Sequence, residues 1–271
     1  MPSNPQRRHH NFAGTVLPVR VAFLSLVLLS SGCARTLFGR GEPFKPWPTA
    51  AVGVSVVEHD GTLVLTPTGP SRPLLFLHGF ASLPAQYRFT LEHLAERGFQ
   101  VFAPTLPDYV LGRVGYHRAV LDAAERAFAE VVAQTHTPPV VVGYSLGGGA
   151  ALLVGPGHHA PTVLWAPVPL DLERVPVTSP LLVIAGDHDC IAKGQPAAVL
   201  ETLPKAERAV IPGNHLGFTD LSGGERYDCE SPVSRDAQRA DAVERTAAFF
   251  GAHPPVSAPS PAPSPPPARA E

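Results

Sequence analysis

Between residues 52 and 250, short apolar runs alternate with longer segments in which apolar residues recur every three or four positions. Pro139-Val140-Val141-Val142 and Leu181-Leu182-Val183-Ile184-Ala185 are continuous apolar runs of the kind that form buried strands. The pattern predicts strands over 52–57, 63–66, 73–77, 100–103, 140–143, 162–165, 181–185 and 207–211. It predicts helices over 84–97, 116–135, 146–154, 195–202 and 234–250. Strand and helix in alternation define an α/β fold: a mostly parallel, twisted sheet of about eight strands with helices on both faces. The first two strands flank His59-Asp60-Gly61, so the sheet is expected to begin with an antiparallel edge hairpin.

The two ends of the chain break this pattern. Arg7, Arg8 and Arg20 precede a nine-residue apolar core from Val21 to Leu29, followed by Ser30-Ser31-Gly32-Cys33. A basic region, a short apolar core and small residues make a secretory signal, too short to span a bilayer. The placement of the cysteine resembles a bacterial lipobox, although the leucine stands four places before it rather than three. That resemblance implies that Cys33 is lipidated and that the mature protein is held to the cell envelope; simple secretion is the alternative. Residues 34–50 then form a tether, 51–251 the folded domain and 252–271 a Pro/Ala/Ser-rich tail that buries too little apolar surface to order itself.

Export bears on the other two cysteines. With Cys33 consumed by lipid, Cys190 and Cys229 are left as an even pair in an oxidising compartment, and a disulfide between them is expected. A loop of about 39 residues closed in this way constrains the unfolded chain by roughly 4 kcal/mol in the entropic account.

Composition narrows the function. Removing signal and tail leaves roughly 200 residues, one domain's worth, in a chain that is 44% hydrophobic. The net charge is −2, and no Lys/Arg cluster outside the signal offers an electrostatic footprint for nucleic acid. No nucleic-acid partner is therefore expected; the chain is expected to act as a monomer on a substrate that is polymeric or lipid-like.

The candidate chemistry lies just past the apolar runs. Gly143-Tyr144-Ser145-Leu146-Gly147 follows one buried strand, and the small residues from Gly148 to Ala151 lead into a helix. A strand, a sharp turn and a helix around G-x-S-x-G is the setting in which a serine becomes a nucleophile. Ser145 is expected to stand exposed above the sheet, where the Leu146 N–H and the positive helix end meet a developing oxyanion. A second run ends in Gly186-Asp187-His188-Asp189-Cys190, and a third, Ala209-Val210-Ile211, ends in Pro212-Gly213-Asn214-His215. Carboxylates and a histidine therefore sit past strand ends, where open α/β sheets place their chemistry. In the order Ser145, Asp189, His215, the histidine takes the serine proton and the carboxylate orients the imidazole. Asp187 competes with Asp189 for the acid's place. A metal bound by Asp187, His188, Asp189 and His215 lacks any supporting ligand spacing, so neither metal nor organic cofactor is expected.

Over 52–250 the chain resembles the α/β-hydrolase superfamily, through Leu75-Phe76-Leu77-His78-Gly79-Phe80, Gly143 to Gly147, Gly186 to Asp189, and Gly213-Asn214-His215. Within it, Asp189-Cys190 and the segment Gly213 to Asp220 resemble the dienelactone hydrolase, chlorophyllase and polyester-hydrolase (cutinase-like) branch. The resemblance implies that the Phe80 N–H, with Ala81 as the near alternative, joins the Leu146 N–H as oxyanion donor. It also favours Asp189 as the acid, leaving Asp187 to cap its loop and His78 to buttress the oxyanion loop. Only about 13 residues, 168–180, occupy the place where many lipases insert a helical cap, too few for a lid domain. An open cleft suits bulky or polymeric apolar esters, with Phe80, Tyr144, Leu146, Trp165 and Phe218 as candidate walls. Acyl transfer or thioester hydrolysis by the same triad is a second reading, and a catalytically inactive surface-binding module a third.

Overall fold

The structure, a computed structural model, describes residues 51–107, 115–170, 172, 176–192, 201, 203, 205–221 and 227–254. The expected signal, Cys33, the tether, the tail from residue 255 and most of the expected helix over 195–202 lie outside the described residues. Eight strands form one sheet: β1 Val54–His59, β2 Thr62–Pro67, β3 Arg72–Leu77, β4 Phe99–Pro104, β5 Val140–Tyr144, β6 Thr162–Trp165, β7 Leu181–Gly186 and β8 Glu207–Ile211. Their order is β1-β2-β4-β3-β5-β6-β7-β8. Only the pairings β1 with β2 and β2 with β4 are antiparallel. At the edge hairpin, His59 pairs with Thr62 across Asp60 at φ 49° and Gly61 at φ 77°. Positive φ at both turn positions matches the right-handed twist of the strands it joins.

Among the described residues, four α-helices are complete enough to be bounded and cover the sheet: α1 Arg88–Glu96, α2 Tyr116–Thr135, α3 Leu146–Gly157 and α4 Arg235–Ala252. The period-2 alternation of the strands decides which helices each face meets. Leu74, Phe76, Val142, Val163, Trp165 and Ile184 point to one face, with Leu91, Leu94, Val243 and Phe250 of α1 and α4. Leu75, Leu77, Val141, Leu164 and Val183 point to the other, with Val120, Phe128, Ala150 and Val154 of α2 and α3. Both faces are covered by helices, which explains why the central strands read as unbroken apolar runs.

The segment expected to be one helix over 84–97 is split. Pro84–Tyr87 forms a 3-10 turn and α1 begins at Arg88, because Tyr87 stands outside the helical region at φ −128°, ψ 25°. The break places the fully buried Tyr87 hydroxyl against Gly79 and Ser82. At the other end of the domain, Ser234 caps α4 by accepting the Ala237 N–H at 3.2 Å.

Strand order also locates the working edge. From β3 the chain steps outward to β4 and then crosses back over β3 to β5, so the crossovers leave from opposite faces at the carboxyl ends of β3 and β5. Such a switch point opens a crevice in a doubly wound sheet. The register Leu77 to Gly143 puts the loop after β3 directly beside the turn after β5.

Candidate active site

Ser145 occupies the turn between β5 and α3 at φ 53°, ψ −118°, a backbone conformation that side chains with a Cβ rarely adopt. The turn is held at both ends. The Ser145 N–H donates to the Trp165 carbonyl at 2.9 Å, while the Ser145 carbonyl accepts from Val168 at 2.9 Å and Gly149 at 3.2 Å. The flanking glycines are required by close approach. A Cβ at Gly147 would press on the carbonyl oxygens of Leu77 and His78, and one at Gly143 on the Gly147 carbonyl and the Ala151 methyl. The side chain of Ser145 is thereby aimed off the end of the sheet.

His215 meets it there. The Ser145 hydroxyl lies 3.0 Å from His215 Nε2, and His215 Nδ1 lies 2.8 Å from Asp189 Oδ2. With the carboxylate accepting the Nδ1 proton, the neutral ring presents a lone pair at Nε2 toward the serine. Ser145 is only 8% exposed, less than an elbow position alone predicts, because the imidazole lies against it. The side chains of His215 and Asp189 are 4% and 5% exposed, so their attraction is little screened by water. Asp189 is fixed from behind by the Ala192 N–H, 2.8 Å from Oδ1.

Asp187 does different work. Its Oδ1 accepts the Gly213 N–H at 3.0 Å and lies 2.6 Å from His188 Nδ1. The His188 contact and then the Gly213 N–H hold its carboxyl below the usual range. It caps the loop that leads to the histidine and does not face the imidazole.

The loop after β3 is closed by a ring of hydrogen bonds centred on Gly79. One proton assignment satisfies every group: Gly79 N–H to the Tyr87 oxygen at 3.1 Å, Tyr87 O–H to Ser82 Oγ at 2.8 Å, and Ser82 O–H to the Gly79 carbonyl at 2.8 Å. His78 Nδ1 lies 2.8 Å from the same carbonyl, and its Nε2 accepts the Leu106 N–H at 2.9 Å. Burial pushes the His78 imidazole down to about 4, so it is neutral at pH 7, as an acceptor at Nε2 must be. The Gly79 carbonyl and the Phe80 N–H belong to one planar trans peptide. Two donors on the carbonyl therefore fix the direction of the Phe80 N–H. Leu146, as the first residue of α3, contributes a backbone N–H for which the helix supplies no carbonyl.

Of the candidate cleft walls, Trp165 and Phe218 belong to the core. Both are 0% exposed, and the Trp165 indole donates to Thr246 Oγ1 at 3.1 Å. Tyr144 and Leu146 are buried, while Phe80 is 39% exposed. Cys190 and Cys229 are joined by a disulfide with their Cα atoms 5.3 Å apart.

Sequence reading assigned no role to Asn214 or Asp228, both of which make bonds around the His215 loop. Asn214 accepts the Gly217 N–H at 2.8 Å and donates to the Cys229 carbonyl at 2.6 Å. Asp228 accepts main-chain N–H groups from both loops. Neither residue falls in a periodic pattern; adjacency to His215 and to Cys229 was the available signal. Among the described residues, no group of three or more His, Cys, Asp or Glu side chains is arranged to hold a metal ion, and no helix is long and apolar enough to cross a membrane.

The sequence profile of the alpha/beta hydrolase family matches residues 74–270, and the chain belongs to that family. It is a hydrolase by family, on an eight-stranded sheet of that fold. No curated protein matches the chain. Among solved structures it is similar to dienelactone hydrolase from Anabaena variabilis, at 20% identity and a TM-score of 0.55, covering 77% of this chain and 97% of that one. It is also similar to a hormone-sensitive lipase from a metagenome library, at 13% identity, TM-score 0.55, covering 86% and 98%. TT1662 from Thermus thermophilus superposes at 17% identity, TM-score 0.53, covering 73% and 97%. At such identities these likenesses speak to the fold alone.

Proposed function

We propose that the protein is a serine hydrolase of carboxylic esters, working through an acyl-enzyme on Ser145. The observation that carries the proposal is the unbroken line from Ser145 Oγ to His215 Nε2 at 3.0 Å and from His215 Nδ1 to Asp189 at 2.8 Å, built on a serine in strained backbone geometry. His215 removes the hydroxyl proton as Oγ attacks the ester carbonyl, and Asp189 stabilises the imidazolium that forms. The N–H groups of Leu146 and Phe80 receive the negative oxygen, and each such donor contributes about 3 kcal/mol to the transition state. His215 returns its proton to the departing alkoxide, leaving the acyl group on Ser145. Water, deprotonated by the same imidazole, releases the acid.

Substrate class follows from the connection after β6. Residues 166–180 link β6 directly to β7, a span too short for a cap domain, so the cleft is suited to bulky or polymeric apolar esters. The signal-like N-terminus supports placement outside the cytoplasmic membrane, tethered by lipid on Cys33. Hydrolysis of p-nitrophenyl esters across acyl lengths by the wild type and Ser145→Ala tests the reading. The variant is expected to lose on the order of 10^4-fold in turnover or more; turnover like that of the wild type would refute the assignment.

A further inference from the structure

Asp228 sits where the two loops that carry the base and the acid come together. Its Oδ1 accepts the Cys190 N–H at 3.1 Å and the Cys229 N–H at 2.9 Å, and its Oδ2 accepts the Leu216 N–H at 2.8 Å. Cys190 follows Asp189 in the chain and Leu216 follows His215. One carboxylate therefore grips the amide immediately after each of the two residues whose side chains meet at 2.8 Å. The contacts close a ring: Asp189 to Cys190 through a peptide, Cys190 to Cys229 through the disulfide, and Cys229 to Asp228 through a peptide. Asp228 joins Leu216 through a hydrogen bond, Leu216 joins His215 through a peptide, and His215 returns to Asp189. A disulfide holds two segments within reach but turns about several single bonds, whereas a carboxylate with amides on both oxygens fixes their relative orientation.

We propose that Asp228 is a positioning residue of the triad, setting the separation and angle of Asp189 and His215 through their main chains. This rests on the reading of Ser145, His215 and Asp189 as the catalytic machinery. The demand for a carboxylate is specific. Three N–H groups converge on two oxygens, so an acid with acceptor capacity on both atoms satisfies all of them. An asparagine offers one oxygen and turns an NH2 group toward an N–H on the other side, placing donor against donor. Alanine instead leaves room for water, which bonds the three amides without fixing the loops against each other.

The test uses the full chain with p-nitrophenyl butyrate, comparing the wild type, Asp228→Asn, Asp228→Ala and Ser145→Ala. A displacement of the acid–base pair by about 1 Å lowers kcat about 10- to 100-fold, and KM is expected to stay within twofold of the wild type. The disulfide stays closed, as thiol titration of unfolded protein under non-reducing conditions reads out. The low-field proton resonance of the His215 Nδ1–H to Asp189 bond moves upfield or disappears in both Asp228 variants, a change that a purely structural role does not produce. Wild-type kcat and an unshifted resonance in Asp228→Asn, beside an inactive Ser145→Ala, sink this inference alone. An active Ser145→Ala sinks the triad reading and this inference with it. Failure of both Asp228 variants to fold overturns a positioning role as well, because it makes the residue an element of overall stability.

Discussion

The Tyr144 hydroxyl donates to the main-chain carbonyl of His215 at 3.1 Å, across a separation of 71 residues. The residue before Ser145 is thus bonded to the backbone of the histidine whose ring meets the Ser145 hydroxyl. Burial and the neighbouring Tyr87 raise the phenol well above its ordinary value, so it stays a donor throughout the working pH range. Removing the hydroxyl with Tyr144→Phe deprives a buried carbonyl of its partner and is expected to cost about 1–2 kcal/mol of stability. Turnover should fall several-fold with KM little changed. Denaturant melts and steady-state kinetics on one preparation check both numbers, and unchanged kcat would show that His215 is held without this bond.

Asp187 and Asp189 are expected to separate by mutation. Asp189→Asn leaves a neutral acceptor that no longer stabilises the imidazolium and permits the wrong ring tautomer, so a loss of about 10^4-fold in kcat is expected. Asp187→Asn keeps an oxygen for the Gly213 N–H and should retain activity within about tenfold. The reverse ranking in ester hydrolysis would transfer the acid's role to Asp187.

His78 predicts how stability depends on pH. Its imidazole is held at about 4 in the folded protein against an ordinary 6.5, so between those values the unfolded chain binds a proton that the folded chain refuses. Stability from this group is therefore complete above pH 6.5 and declines as pH falls toward 4, by about 3 kcal/mol in total. Melting temperature followed over that interval should drop for the wild type and drop less steeply for His78→Asn, which starts lower at pH 7. Parallel slopes would mean that the acid sensitivity lies elsewhere.

Close packing at the turn around Ser145 distinguishes its glycines from those on the surface. Gly147→Ala drives a methyl onto two main-chain carbonyls and is expected to cost about 3 kcal/mol, at the upper end for overpacking. Gly157→Ala, at the last residue of α3, adds a methyl into open space and should be neutral or slightly stabilising. Equal melting temperatures for the two variants would contradict the tight turn.

Much of this architecture is written locally. Apolar runs with strand length, Asp60-Gly61 at a two-residue turn and the glycines around Ser145 each act over a few residues, so the succession of strands and helices, the edge hairpin and the position of the Ser145 turn are legible along the chain. The boundary at Tyr87 is not, because the helix breaks there to bring a hydroxyl to Gly79, eight positions away and in another loop. The same limit applies to the cleft: an aromatic residue at a strand end reads alike whether it faces substrate or core, and only the packing of α4 against the sheet made Trp165 interior.

The sequence by itself determined the α/β order of elements and placed a serine, two carboxylates and a histidine beyond strand ends, since periodicity and turn chemistry are short-range properties. Only the tertiary structure decided that Asp189 and not Asp187 meets His215, and that Asp228 lies between their loops. That choice depends on where two backbones separated by some 26 residues come to rest relative to each other. Their relative position is fixed by hydrogen bonds and a disulfide that exist only once the sheet has brought the loops together.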